Sequence, residues 1–350
     1  MNQDQIKQLN EAVEAVKTRK IENVYFVACG GSKAIFDPAQ FIFDRETTLP
    51  SFVYNANEFI HRCPKGLGEN SLVVTCSHSG NTLETTRATQ LAGDKGALTI
   101  SFSYRVDSPL WKATQHPISY VWGPESNPGD NNNGMLYRLV FSILNVLQPN
   151  EKYERAIKAC DNLGKVYEAN KAKFAESAKA FGKKYKNNKL IYTMSSGPCY
   201  GVAYSFAICL LQEMQWIHSE PIHSGEFFHG PFEVTDTDVP FIVLKNYGKD
   251  CDENVKKNWI TEYGADYKRP LVEIDSAVGA YSDSMNGETR VLDVRAEAFI
   301  KRLAALGVKS YKHYPIVGYP SDVVHVVSDE GLGRNEYIET SRSVVVVTAP

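Results

Sequence analysis

Long apolar runs are missing from the chain: no stretch approaches the roughly 18 consecutive apolar residues that a membrane-spanning helix needs, so no membrane partner is expected. The N-terminus, Met1-Asn-Gln-Asp-Gln-Ile, is polar and passes into an amphipathic run without the apolar core of a secretory signal. An excess of basic charge is also lacking. Lys and Arg number 38 against 41 Asp and Glu, a formal net charge of -3, which gives no global positive field for DNA or RNA. The seven cysteines, at positions 29, 63, 76, 160, 199, 209 and 251, are odd in number and without metal-ligand spacing. They read as reduced, mostly buried thiols of a cytoplasmic protein.

What the chain does have is length and alternation. Its 350 residues, 43% hydrophobic and 23% charged, suffice for two domains with substantial cores. Helical composition from Gln3 to Arg19 leads into Asn23-Val-Tyr-Phe-Val-Ala-Cys-Gly-Gly-Ser32, a buried parallel strand ending in a glycine turn, with a helix from Lys33 onward. Strand, glycine-rich turn and helix together make an anion cradle of backbone N–H groups. Ser71 to Thr85 repeats the pattern with more chemistry, since Ser77, His78, Ser79, Gly80, Asn81 and Thr82 separate a strand from a helix. Three hydroxyls and free amides suit a phosphate; the alternative is that Ser79 or Thr82 only caps the helix. Gly96 to Ser103 and His116 to Trp122 read as further strands, with a turn at Asp107 to Leu110. The Asn-rich loop Gly123 to Gly134 could touch substrate or simply be solvated, solvation being the preferred reading, and Met135 to Leu147 reads as an apolar helix.

A charged, Ala-rich helical stretch from Tyr153 to Lys186 carries the domain connection, after which Lys189 to Pro198 restarts the strand-and-turn pattern. Gly201 to Ile217 is apolar on every face and reads as a buried helix. Glu213 within it is a candidate proton carrier if burial favours its neutral form, or a structural carboxylate bonded to backbone or a neighbour. Then comes His218-Ser-Glu-Pro-Ile-His-Ser-Gly-Glu-Phe-Phe-His-Gly-Pro-Phe-Glu233, with three histidines and three carboxylates in sixteen residues. A loop this rich in chemistry is a candidate site. Metal ligation is disfavoured because Pro221, Gly225 and Gly230 break the local geometry and no His pair has helical i, i+4 spacing. Val239 to Leu244 and Lys268 to Ile274 read as strands, Val291 to Leu306 as a helix, and Lys309 to Tyr314, Val323 to Ser328 and Ser343 to Thr348 as further strands.

The apolar helix with Glu213, followed by Ser-Gly-Glu-Phe-Phe-His-Gly-Pro-Phe-Glu, resembles the sugar isomerase (SIS) family, and within it the fructosamine-6-phosphate deglycases. Ser77-His-Ser-Gly-Asn-Thr82 is similar to that family's Ser-x-Ser-Gly-x-Thr phosphate loop, with His78 where relatives often carry glutamine. The resemblance spans residues 1–276 or so. It implies an α/β fold of two tandem SIS domains, each a parallel sheet flanked by helices in a flavodoxin-like three-layer αβα arrangement, at 1–155 and 156–277. An atypical C-terminal α/β extension follows at 278–350. It implies that Glu213 is the catalytic base and that His229, sixteen residues on, is the general acid that opens the sugar ring. Ser32, Ser77, Ser79 and Thr82 would bind the phosphate, and Gly31, His78, His218, His223 and Glu226 are further candidates for substrate contact. The implied substrate is a 6-phosphorylated fructose–amino acid conjugate, the partner a second copy in a homodimer with composite sites, and no cofactor or metal is required. An isomerase and a non-catalytic sugar-phosphate sensor are the alternatives. From about Leu303 the chain instead resembles part of a large uncharacterised bacterial α/β family, so it reads as a fusion or a misjoined product.

Overall fold

A computed structural model describes residues 1–123, 126–223, 226, 231, 240–243, 310–312 and 345–348. It divides into two compact units, Met1–Gly164 and Lys165–Pro350.

The first unit opens with α1 (Gln3–Lys17), started by a reciprocal cap in which Asn2 accepts from the Gln5 N–H and Gln5 from the Asn2 N–H. There follow β1 (Asn23–Ala28), α2 (Gly30–Ala34), α3 (Phe36–Glu46), β2 (Ser51–Asn55), α4 (Ala56–Arg62), β3 (Ser71–Cys76), α5 (Leu83–Asp94), β4 (Leu98–Ser103), α6 (Pro109–Ala113), β5 (His116–Ser119), α7 (Asn132–Leu147) and α8 (Glu151–Ala159). The five strands form one parallel sheet in the order β2-β1-β3-β4-β5.

Burial on both faces explains why the central strands read as continuous apolar runs. In β1, Tyr25 and Val27 pack with Phe59 of α4 and Ala88 and Ala92 of α5. Phe26, pointing the other way, meets Phe36 and Phe43 at ring-centroid distances of 5.4 and 5.6 Å. Three of the hydroxyls admitted to this core pair with one another: Thr75 Oγ1 lies 3.0 Å from Thr89 Oγ1 and 2.6 Å from Ser101 Oγ. Strand order reverses between β1 and β3, and in open parallel sheets that switch point leaves a crevice at the carboxyl ends.

Several expectations change here. The first helix after β1 is a five-residue turn beginning at Gly30, with the longer α3 behind it, rather than one helix from Lys33. β5 stops at Ser119, leaving Tyr120 and Trp122 in the connection beyond it. The Asn-rich loop is not merely solvated. Asn127 accepts from the Gly129 N–H at 2.9 Å and Asn131 from the Gly134 N–H at 3.0 Å, capping a 3₁₀ turn and α7 respectively. Arg138, buried in α7, fastens the same loop by donating to the Gly129 carbonyl and pairing with Asp161 at 2.9 Å.

In the second unit, α9 (Leu163–Tyr185) runs in from the boundary, and β6 (Tyr192–Ser195), α10 (Tyr200–Ser205), a π-helical turn (Phe206–Gln212), β7 (Pro221–His223), β8 (Phe241–Val243), β9 (Ser310–Lys312) and β10 (Val345–Thr348) follow. The sheet order is β7-β6-β8-β10-β9. β6 pairs in parallel with β7 and β8, so β7-β6-β8 repeats the arrangement of β2-β1-β3, while β10 is antiparallel to both β8 and β9. The expected strands at Lys268 to Ile274 and Val323 to Ser328 and the helix at Val291 to Leu306 lie outside the described residues.

The helix expected from Gly201 to Ile217 is corrected. α-helical geometry ends at Ser205 and i→i+5 bonding takes over, with the Glu213 N–H donating to the Ile208 carbonyl and the Gln215 N–H to the Leu210 carbonyl. Nor is the stretch buried all round: Gln212, Glu213 and Trp216 are exposed. The cysteines are also less buried than expected, since Cys29, Cys63 and Cys209 are only half-buried while Cys76, Cys160 and Cys199 are buried.

Candidate active site

The loops leaving β1 and β3 meet at the switch point. In the first, Cys29 is extended and Gly30 takes a left-handed φ of 55°, turning the chain so that half-buried Gly31 and Ser32 fall in α2. Cys76, the last residue of β3, is buried, which pushes its thiol up to about 12, the Ser32 side chain acting the other way.

In the second loop, the Ser77 N–H donates to Phe102 of β4 at 3.1 Å, continuing the ladder one residue past the strand. The buried Ser77 Oγ then accepts the Gly80 N–H at 3.1 Å and lies 2.9 Å from Thr82 Oγ1. Ser79 Oγ accepts the Asn81 N–H at 3.2 Å. Gly80 has φ 66°, and a Cβ there would run into the side chains of Ser108 and Ser103, so only glycine fits. Thr82 occupies the N-cap of α5 but its side chain makes no capping bond. Its hydroxyl faces Ser77 instead, which sets aside the reading of Thr82 as a simple cap. Three hydroxyls therefore stand at the N-terminus of a twelve-residue helix, where the dipole and the first amides favour an anion.

His78 leads away from this cradle into a cluster of rings. Its Nδ1 shares a 2.9 Å hydrogen bond with the Tyr120 hydroxyl. The imidazole stacks on Tyr104 at 5.1 Å and 3°, and meets Trp122 edge-on at 5.0 Å and 64°. Burial, then the neighbouring Arg105 charge, holds His78 below its ordinary pKa, so the ring is neutral at physiological pH. Burial also raises the Tyr120 phenol. Tyr104, Tyr120 and Trp122 were not expected from the sequence. The available signal was their position just beyond β4 and β5, at the same sheet edge as His78.

In the second unit, Glu213 follows the π-helical turn and is exposed, not buried among apolar side chains as expected; the extra residue per turn carries it off the packed face. Two residues on, Gln215 is buried, and Trp216 is 74% exposed with a left-handed φ of 57°. His218 is exposed, its backbone bridging Lys189 and Ile191. His223, at the end of β7, meets Tyr200 edge-on at 5.1 Å. The exposed Glu226 donates its N–H to the His223 carbonyl at 2.8 Å. His229 lies outside the described residues.

The SIS domain matches residues 17–147. A fructosamine deglycase, FrlB, of Bacillus subtilis is 46% identical over 285 residues, which cover 80% of this chain and 86% of the relative. The chain belongs to the SIS family. Fructoselysine 6-phosphate deglycase of Escherichia coli is 31% identical over 240 residues, 66% of this chain and 67% of that protein. Among solved structures, a candidate phosphosugar isomerase of Bacillus subtilis superposes with a TM-score of 0.69 at 42% identity, covering 86% of this chain and 92% of its own. The C-terminal part departs from SIS proteins as the sequence suggested. Residues 262–350 match the N-terminal part of a domain of unknown function, DUF1846, so that likeness begins earlier than Leu303.

Proposed function

We propose that this protein is a fructosamine-6-phosphate deglycase, cleaving a 6-phosphorylated fructose–amino acid conjugate to glucose 6-phosphate and the free amino acid. The observation that carries this is the 46% identity to a fructosamine deglycase across 86% of that relative. The phosphate docks at Ser77, Ser79 and Thr82, with Ser32 from the first loop. His229 moves the proton that opens the sugar ring. Glu213 takes a proton from C1 while the C2 carbonyl oxygen gains one, giving an enaminol, and a proton returned to C2 leaves an imine at C1. Water adds to the imine, and the C1–N bond breaks to release the amine. Glu213 lies open on its own chain, which suits a composite site that a second copy of the chain closes. The enzyme is thus a cytoplasmic homodimer. Its organisation is two tandem SIS domains, 1–155 and 156–277, with an extension at 278–350; the repeat of β2-β1-β3 by β7-β6-β8 supports the pairing.

The test is incubation with phosphorylated fructose conjugates of lysine, aspartate and asparagine, assaying glucose 6-phosphate and free amino acid together. Equimolar release is expected. Aldose–ketose interconversion without amine release would instead support the isomerase reading, which the candidate phosphosugar isomerase among the solved structures favours.

A further inference from the structure

The rings around His78 are rigidly placed and yet open. Tyr104 directly follows β4, Trp122 lies three residues past β5 and His78 two past β3, so the three come from the carboxyl ends of adjacent parallel strands. The cluster is fixed from three directions. The Tyr104 N–H donates to the His78 carbonyl at 3.2 Å, Tyr120 holds the imidazole nitrogen at 2.9 Å, and Tyr104 lies parallel to the ring at 3°. Tyr120, 3% exposed, anchors the group in the core, whereas Tyr104 and Trp122 are each 42% exposed. Aromatic rings locked against one another but left half open offer apolar surface at little further entropy cost, as ligand sites do.

We propose that the open faces of Tyr104 and Trp122, set about His78, form a stacking subsite for the carbon skeleton of the substrate beyond its phosphate. This rests on the reading of the Ser77–Thr82 loop as the phosphate cradle. Continuity argues for the substrate as occupant, because His78 stands between Ser77 and Ser79, and a ligand anchored there runs its next atoms along the ring cluster. The open faces are aromatic, so they suit the apolar face of a polyol skeleton.

The experiment is calorimetric titration of the full chain with two probes, inorganic phosphate and glucose 6-phosphate. Trp122→Ala and Tyr104→Leu are expected to bind inorganic phosphate as the wild type does and glucose 6-phosphate about tenfold more weakly, the loss of one ring contact. Trp122→Phe, which keeps a ring, is expected to retain most of the affinity. If Trp122→Ala fails to fold, Tyr104→Leu decides. Unchanged glucose 6-phosphate affinity in the folded variants overturns the subsite while leaving the cradle intact. A shift from dimer to monomer with unchanged sugar-phosphate affinity makes the surface an interface between copies and also overturns it. Failure of the wild type to bind either probe removes the cradle, and the subsite with it.

Discussion

The hydroxyls of Ser77 and Thr82 lie 2.9 Å apart, facing each other across the loop between β3 and α5. Thr82 is thereby withheld from the capping role its position offers. Thr82→Val removes the bond to Ser77 and is expected to cost about 0.5–1.5 kcal/mol in denaturant titration while raising KM for the phosphorylated substrate about tenfold. A large stability loss with unchanged KM would make Thr82 structural.

Gly80 behaves oppositely. An alanine there must hold a left-handed backbone and push into Ser108 and Ser103. Strain and overpacking together are expected to cost about 2–4 kcal/mol, read as a lower denaturation midpoint at unchanged slope. Turnover should fall with it, since the same turn orients the Ser77 and Ser79 hydroxyls.

His78 gives a pH dependence. Its folded-state pKa lies below its ordinary value through burial and Arg105. Between the folded and unfolded values the unfolded chain binds more protons, so stability rises with pH across that window. The contribution is complete above the unfolded value of about 6.5 and is lost as pH falls toward the folded one. The melting temperature of the wild type is expected to fall relative to that of His78→Gln between about pH 7 and pH 5. His116, shifted the same way, is present in both proteins and cancels. Parallel curves would show that His78 is not held neutral by the fold.

Cys76 and Cys160 are both pushed up to about 12, chiefly by burial, so neither has appreciable thiolate near pH 8. Alkylation of the native protein followed by peptide mapping should leave both unlabelled until denaturant is added. Labelling of Cys76 at a native rate would mean that the β1 and β3 loops open readily in solution.

How much of this was legible in the sequence depended on whether the signal was local. The strands β1, β3 and β4 could be read because parallel strands covered on both faces are continuous apolar runs. The Ser77–Thr82 loop could be read because its donors are neighbours in the chain. Tyr104 and Trp122 could not, being 26 and 44 residues beyond His78 and joined to it only by strand order. The exposure of Glu213 was hidden for another reason. Apolar composition says that Phe206 to Leu211 is buried, but not that one extra residue per turn carries the following side chains off the packed face.

That same turn ends in Trp216, a bulky residue at φ 57° with its indole 74% exposed. Left-handed backbone costs a non-glycine residue about 1–2 kcal/mol. Strain of this kind persists where function requires it, and Trp216 stands three residues from Glu213, the proposed base. Trp216→Gly relieves the strain while removing the indole and loosening the unfolded chain, so stability is expected to change by no more than about 2 kcal/mol while kcat/KM falls about tenfold or more. If the indole instead serves the contact between copies in the proposed composite site, the activity loss will shrink as protein concentration rises. A variant with unchanged activity at every concentration would leave the left-handed tryptophan as a tolerated defect of the turn and detach it from the chemistry of Glu213.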